Sequence, residues 1–219
     1  MKFKATYLLL LMAFTLFSAN AKAASEDTFW KWFTKNQQRL FAFEANQEAI
    51  FDELGAEMQR VNGDLTFEFG PVLPNGKREF VISAGGIKSA FPAVEALYKK
   101  APNLKQWIWV KYRPRRTPIN DIAFGGKEIS SDNVHYLLAK DENKIGIVLF
   151  FDGYNQNEKS IFGQIGYLLL DEALGEYAME MEAGFIEFQS RESKYFSQAS
   201  PLKELPSHFD EYLARRRAQ

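Results

Sequence analysis

Four groups of side chains in this 219-residue chain have the types and spacing for chemistry. Trp107 and Trp109 alternate on one strand and are followed by Arg113, Arg115 and Arg116. An aromatic floor with a cationic rim would suit a sugar, a peptide or an anionic partner, because ring faces stack and guanidinium forks grip carboxylates. The plainer reading puts both tryptophans in a core and leaves the arginines, beyond Pro114 and outside the sheet, exposed and available. Glu176, Glu180 and Glu182 fall on one face of a final strand, and paired carboxylates serve as acid and base when burial separates their pKa values. Glu176, beside a helix-capping Gly175, is the one singled out, with backbone capping or a salt bridge as the favoured role.

Ser83, His135 and Asp121 or Asp132 supply the parts of a nucleophile, base and orienter. No Gly-x-Ser-x-Gly elbow accompanies them, so a strand histidine is the more economical account. Residues 152–158, Asp-Gly-Tyr-Asn-Gln-Asn-Glu, carry several oxygen ligands of the kind calcium prefers, but their spacing departs from an EF-hand and fits a polar turn that starts a helix. No metal site and no cofactor is expected.

Composition narrows the field. With 27 basic against 28 acidic residues the chain is nearly neutral, which argues against nucleic acid as a partner. Two histidines and no cysteine remove most routes to zinc and every disulfide. Twenty phenylalanines, nine tyrosines and four tryptophans supply burial, so packing alone must hold the fold.

The elements that would position these groups follow from periodicity. The Phe29, Trp30, Trp32 and Phe33 cluster predicts an N-terminal helix, ambiguous between a core lid and an interaction surface. Residues 44–61 predict a second, with Phe51, Leu54, Met58 and Val61 inward. Alternation at Leu65, Phe67 and Phe69, then Asn75-Gly76 and residues 79–84, predicts a hairpin. Pro92 opens a helix carrying Phe91, Val94 and Leu97, and residues 106–112 form an internal strand. Strands at 119–124, 134–139 and 145–151 follow, the last the best central strand. A helix over 159–174 and a strand over 176–188 complete the domain. The expectation is α+β: a twisted, mainly antiparallel sheet with helices packed on it, a single domain over residues 24–189, and a peripheral tail over 190–219 with a short helix.

Residues 1–23 read as a secretory signal peptide. Lys2 and Lys4 precede an apolar run to Phe17, and Ala21-Lys22-Ala23 offers small residues for cleavage after Ala23. The apolar run is too short for a bilayer span of about 20 residues, so no stable membrane span is expected after removal. The address implied is periplasmic or secreted.

Several phrases, in order, resemble a family of bacterial exported or soluble proteins of unknown function. They are Leu65-Thr66-Phe67-Glu68-Phe69, Val81-Ile82-Ser83-Ala84-Gly85-Gly86, Ala101-Pro102-Asn103-Leu104-Lys105-Gln106-Trp107, Arg113-Pro114-Arg115 and Leu170-Asp171-Glu172-Ala173-Leu174-Gly175-Glu176-Tyr177. The resemblance runs over about residues 29–188. It implies one contiguous α+β domain and carries no activity, cofactor or catalytic residue.

The function expected is therefore binding rather than catalysis: an exported module that contacts another envelope or exported protein through Trp107, Trp109, Arg113, Arg115, Arg116 and Glu176. An immunity-type protein neutralising a toxin in the periplasm is one form of it. The alternatives are a small-molecule-binding protein or hydrolase with a pocket lined by Trp107, Trp109, Glu68 and Glu176, and a self-associating envelope protein.

Overall fold

A computed structural model describes residues 25–218. The expected signal peptide and its cleavage point lie outside the described residues. Among the described residues the fold is α+β, with six helices and three small sheets in two compact units that divide after Lys111.

Unit one holds α1 (25–41), α2 (Gln47–Val61), α3 (Phe91–Lys99) and a sheet of β1 (Thr66–Val72), β2 (Arg78–Ser83) and β3 (Trp107–Lys111). β2 lies in the middle, antiparallel to β1 and parallel to β3. The Asn75-Gly76 turn closes β1–β2: Leu73 N–H donates to Lys77 O at 2.7 Å, and Gly76 takes the positive φ of 73° that a residue with a Cβ resists. α3 supplies the crossover from β2 to the parallel β3, burying Phe91, Ala93, Val94 and Leu97. In α2 the fully buried stripe is Ile50, Leu54, Met58 and Val61. Leu54, Met58 and Val61 are as expected; only Phe51 gives its place to Ile50, because Phe51 packs sideways on Phe67 and Phe69.

Phe29, Trp30, Phe33 and Leu40 recur at helical spacing along α1 and are all buried. Buried Arg78 anchors the other end of the sheet. Its guanidinium donates to Phe41 O at 2.7 Å, pairs with Glu44 and stacks over the Phe43 ring at 4.7 Å, so the buried cation has a carboxylate, a carbonyl and a ring as partners, while its Nε has none.

Unit two is a four-stranded sheet in the order β8-β7-β6-β9, with β6 (His135–Asp141), β7 (Lys144–Phe151), β8 (Ala183–Ser190) and the short β9 (Ser200–Pro201). The continuous apolar run of β7 is central, antiparallel to β6 and parallel to β8. α4 (Lys159–Leu174), α5 (Glu176–Glu182) and α6 (Leu205–Arg217) complete the unit, with a hairpin of β4 (Ile122–Phe124) and β5 (Lys127–Ile129) against α4. Ile145, Ile147, Leu149 and Phe151 meet Phe162, Ile165 and Leu169 in the core. Gly166 admits the Phe188 ring, since a Cβ built there would lie 2.2 Å from it.

Two expectations are corrected. Residues 176–182 are helix, not strand: the alternation of Met179 and Met181 with Glu180 and Glu182 mimics period two, but Glu, Ala and Met are all good helix formers. Strand begins only at Ala183, where Gly184 sits against the Asp141 carboxylate. Nor is the 190–219 tail peripheral. Leu202, Leu205 and Phe209 have no exposed surface and, with Leu213, fill the core against β7 and α4. The four-residue spacing of Leu205, Phe209 and Leu213 along α6 is an amphipathic stripe longer than the short helix expected.

Candidate functional site: a cationic cleft at the edge of β6

The residues singled out by sequence are each committed to the fold. Gly175 joins α4 to α5 with φ 77° and ψ 154°, and its N–H donates to Asp171 O at 2.8 Å. Against this corner runs the segment 113–116. Arg113 and Glu176 bond reciprocally: the Arg113 N–H donates to the Glu176 carboxylate at 3.0 Å, and the Glu176 N–H donates to Arg113 O at 3.0 Å. Arg113 Nε also bonds Asp171 at 2.6 Å. Arg116 N–H donates to Glu172 O at 2.8 Å and Arg115 Nε to Leu174 O at 3.0 Å. Two of the last carbonyls of α4, Glu172 and Leu174, which no helix can satisfy internally, are thus closed by this strap.

The Arg115 guanidinium then forks onto Asp210 of α6, at 2.7 and 2.8 Å. That bond holds the Asp210 carboxyl below the usual carboxylate range. Burial pushes Asp171 up, and the Arg113 bond only partly offsets it. Arg113 and Arg115 are partly buried and engaged, so the exposed, available arginines expected are not what the structure has. Glu176 is fully buried.

Trp107 and Trp109 share a face of β3, as expected, but the face is the core of unit one. Their rings stack at 5.9 Å, 2° from parallel, while Phe33 sets an edge on each at 5.0 and 5.2 Å. Trp30 closes on Trp109 at 4.7 Å, and Trp109 donates to Pro102 O at 2.7 Å. α1 is the lid, and the expected floor lies beneath it.

Ser83 Oγ accepts the Gly85 N–H at 3.0 Å and Asp121 accepts from Ser131 at 2.8 Å. His135 packs its ring on Phe196 at 5.2 Å. Each therefore has a local structural role. Around residues 155–158, Asn155 accepts from the Asn157 N–H at 3.1 Å and Glu158 pairs with Lys127 at 2.9 Å, so Asn155 caps the 3₁₀ turn Gln156–Glu158 that leads into α4, and Lys127 pins its end. Among the described residues no group of three or more His, Cys, Asp or Glu gathers as metal ligands would. Glu182 pairs with Arg216 and, at 3.0 Å, with Arg217.

The arrangement that sequence reasoning missed lies at the other end of α6. A cleft of about 410 Å³ opens between the C-terminal turns of α6 and the β6–β7 hairpin, lined by Lys140, Glu142, Lys144, Tyr212, Arg215 and Arg216. Four cations and one carboxylate line it, with the carboxylates of Glu182 and Glu211 beside Arg216 and Arg215. Three of the four are partly tied down: Lys144 donates to Ala183 O at 2.8 Å, Arg216 bonds Asn143 O and Glu182, and Arg215 Nε donates to Glu211 O at 3.3 Å. Arg215 still keeps most of its side chain exposed, with the Glu211 carboxylate at 3.8 Å, and Lys140 is exposed. A second cavity of about 300 Å³ adjoins it, sharing Tyr212 and Arg215 and continuing along Tyr136, Leu137 and Leu138 to Gln198 and Ser200. Its floor is fixed by Tyr136, whose hydroxyl bonds the His208 ring and whose pKa is pushed up to about 12 by burial and the Glu204 charge.

The sequence signal for this cleft was the arginine run 215–217, set aside with the tail. Against known families, curated proteins and solved structures the chain has no match.

Proposed function

We propose that this is an exported, non-enzymatic binding module whose partner is another envelope or exported protein presenting an acidic segment to the cleft between α6 and the β6–β7 hairpin. One observation carries this reading: four cationic side chains converge with a single carboxylate on an open cleft of about 410 Å³. Cations gathered on a concave surface raise the local concentration of anions and steer their approach. Tyr212 adds the amphipathic ring that interfaces favour. The address follows from the residues 1–23 pattern and is part of the proposal.

A small-molecule reading of the same cleft rests on its volume, which falls within the range of ligand pockets, about 300–1,000 Å³. Every lining side chain except Tyr212 is charged, so the acidic protein segment is preferred.

The test places photoreactive benzoylphenylalanine at position 212 of residues 24–219, cross-links in an envelope extract of the source cell, and sequences the attached peptide. Capture of one acidic segment, lost in the Lys140→Glu, Arg215→Glu double variant, supports the proposal. Neutral or basic segments, or capture unaffected by charge reversal, contradict it.

A further inference from the structure

We infer that the partner segment enters as an added strand on the outer edge of β6, opposite Leu138 and Lys140, with carboxylates on alternate residues toward Arg215 and Lys140. This deepens the acidic-segment reading and rests on it.

The sheet is unfinished at this edge. β9 pairs with β6 only at His135 and Tyr136. The Val134 carbonyl accepts the Leu202 N–H at 2.9 Å, which fixes the side toward β9. Along a strand, successive residues of an antiparallel ladder turn their N–H and C=O to opposite sides. Tyr136, Leu138 and Lys140 therefore point outward, while Leu137 and Ala139 bond β7 opposite Val148 and Gly146. Tyr136 meets Ser200, but Leu138 and Lys140 find no main-chain partner among the described residues. The chain that could have continued the row turns away in the 3₁₀ turn Phe196–Gln198. The 300 Å³ cavity lies where that row would run, bordered by Leu137, Leu138, Gln198 and Ser200, with Glu211 as well as Arg215 of α6 lining it.

Unpaired edges template added strands, and proteins blunt them with proline, bulges or charge. β1 carries both Pro71 and a register break between Phe69 and Val72. β6 has neither, and its one device is Lys140. A lysine repels a second copy of this edge, since two-fold pairing would set Lys140 and Arg215 against their like, and it attracts an acidic strand. The opposite edge, β8, borders a groove under α4 lined by Lys159 and Glu187 among uncharged residues, so charge selects no occupant there. A guest continuing the line of β9 runs antiparallel to β6. Its inward side chains meet Tyr212 and Arg215, which line both cavities. Main-chain bonds then supply affinity and the alternate carboxylates specificity, as in other strand-addition complexes.

The probe is a short fluorescent peptide of alternating glutamate and valine, compared with its lysine–valine counterpart and with two isomers N-methylated on alternate amides. Binding to residues 24–219 is read by anisotropy. Strand addition predicts that the glutamate peptide binds, that the lysine peptide is weaker by about tenfold or more, and that one methylated isomer loses about tenfold while the other binds like the parent, because only one set of amides faces β6. Lys140→Pro should weaken binding beyond Lys140→Ala, since Pro removes only an outward N–H and leaves the β7 ladder intact. Equal binding of both isomers, with loss on Arg215→Glu, overturns strand addition and leaves the acidic-cleft reading standing. A glutamate peptide that binds no better than the lysine peptide overturns both.

Discussion

Replacing Gly175 by alanine should destabilise unit two by roughly 2–4 kcal/mol. With φ 77° and ψ 154° the residue occupies a region essentially closed to residues with a Cβ, worth about 1–3 kcal/mol of strain. A Cβ there would also lie 3.1 Å from Arg113 O and 3.3 Å from Arg115 N. Both are backbone atoms, so relief requires moving the strap and weakening the reciprocal Arg113–Glu176 bonds, each worth about 0.5–1.5 kcal/mol. Gly163→Ala is the control. Its new methyl would meet only the Phe188 ring at 3.6 Å, an ordinary contact, and alanine inside α4 gains about 0.5–1 kcal/mol over glycine. The two substitutions should therefore move stability in opposite directions. Urea unfolding followed by far-ultraviolet circular dichroism is the assay. Circular dichroism reports unit two directly, whereas Trp30, Trp32, Trp107 and Trp109 all lie in unit one. A Gly175→Ala variant within about 0.5 kcal/mol of wild type would refute the strained-corner reasoning.

Other outcomes follow from the same packing. Phe33→Ala removes the ring that edges onto Phe80, Trp107 and Trp109, and should cost about 3–5 kcal/mol, read as a lowered urea midpoint by tryptophan fluorescence. Phe209→Ala should cost a similar amount by circular dichroism, whereas a tail resting on the surface would cost nearly nothing. Asp210 has its pKa depressed by Arg115, so its contribution is present above the unfolded carboxylate range near pH 4 and lost as pH falls through the lower folded value. The stability difference between wild type and Asp210→Asn, about 0.5–1 kcal/mol at pH 7 for this partly exposed pair, should therefore vanish in acid.

Periodicity carried most of the fold. The α4 boundaries at Lys159 and Leu174, the Asn75-Gly76 hairpin and the central place of β7 were legible because each rests on local chemistry: a capping glycine, a turn needing positive φ, an apolar run. The strand read into residues 176–182 failed because two periods compete in a short segment, and a good helix former at almost every position decided the outcome. The site was less legible. Alternation put Trp107 and Trp109 on one face without saying that α1 covers it. A run of arginines gave charge without partners, and the clamp by Asp171, Glu176 and Asp210 brings together residues tens of positions apart. The cleft could not be read at all until α6 was known to return to the β6–β7 hairpin.

The strand-binding claim is tested most directly by amide hydrogen exchange resolved at residues 137–140 of β6, with and without the alternating glutamate–valine peptide. In the free protein Leu137 and Ala139, bonded to β7, should exchange slowly, and Leu138 and Lys140, facing the open edge, quickly. Saturation with the peptide should slow Leu138 and Lys140 and leave the other two unchanged. If Leu138 and Lys140 are already protected in the free protein, or stay fast in the complex, the open edge of β6 is not where this protein binds.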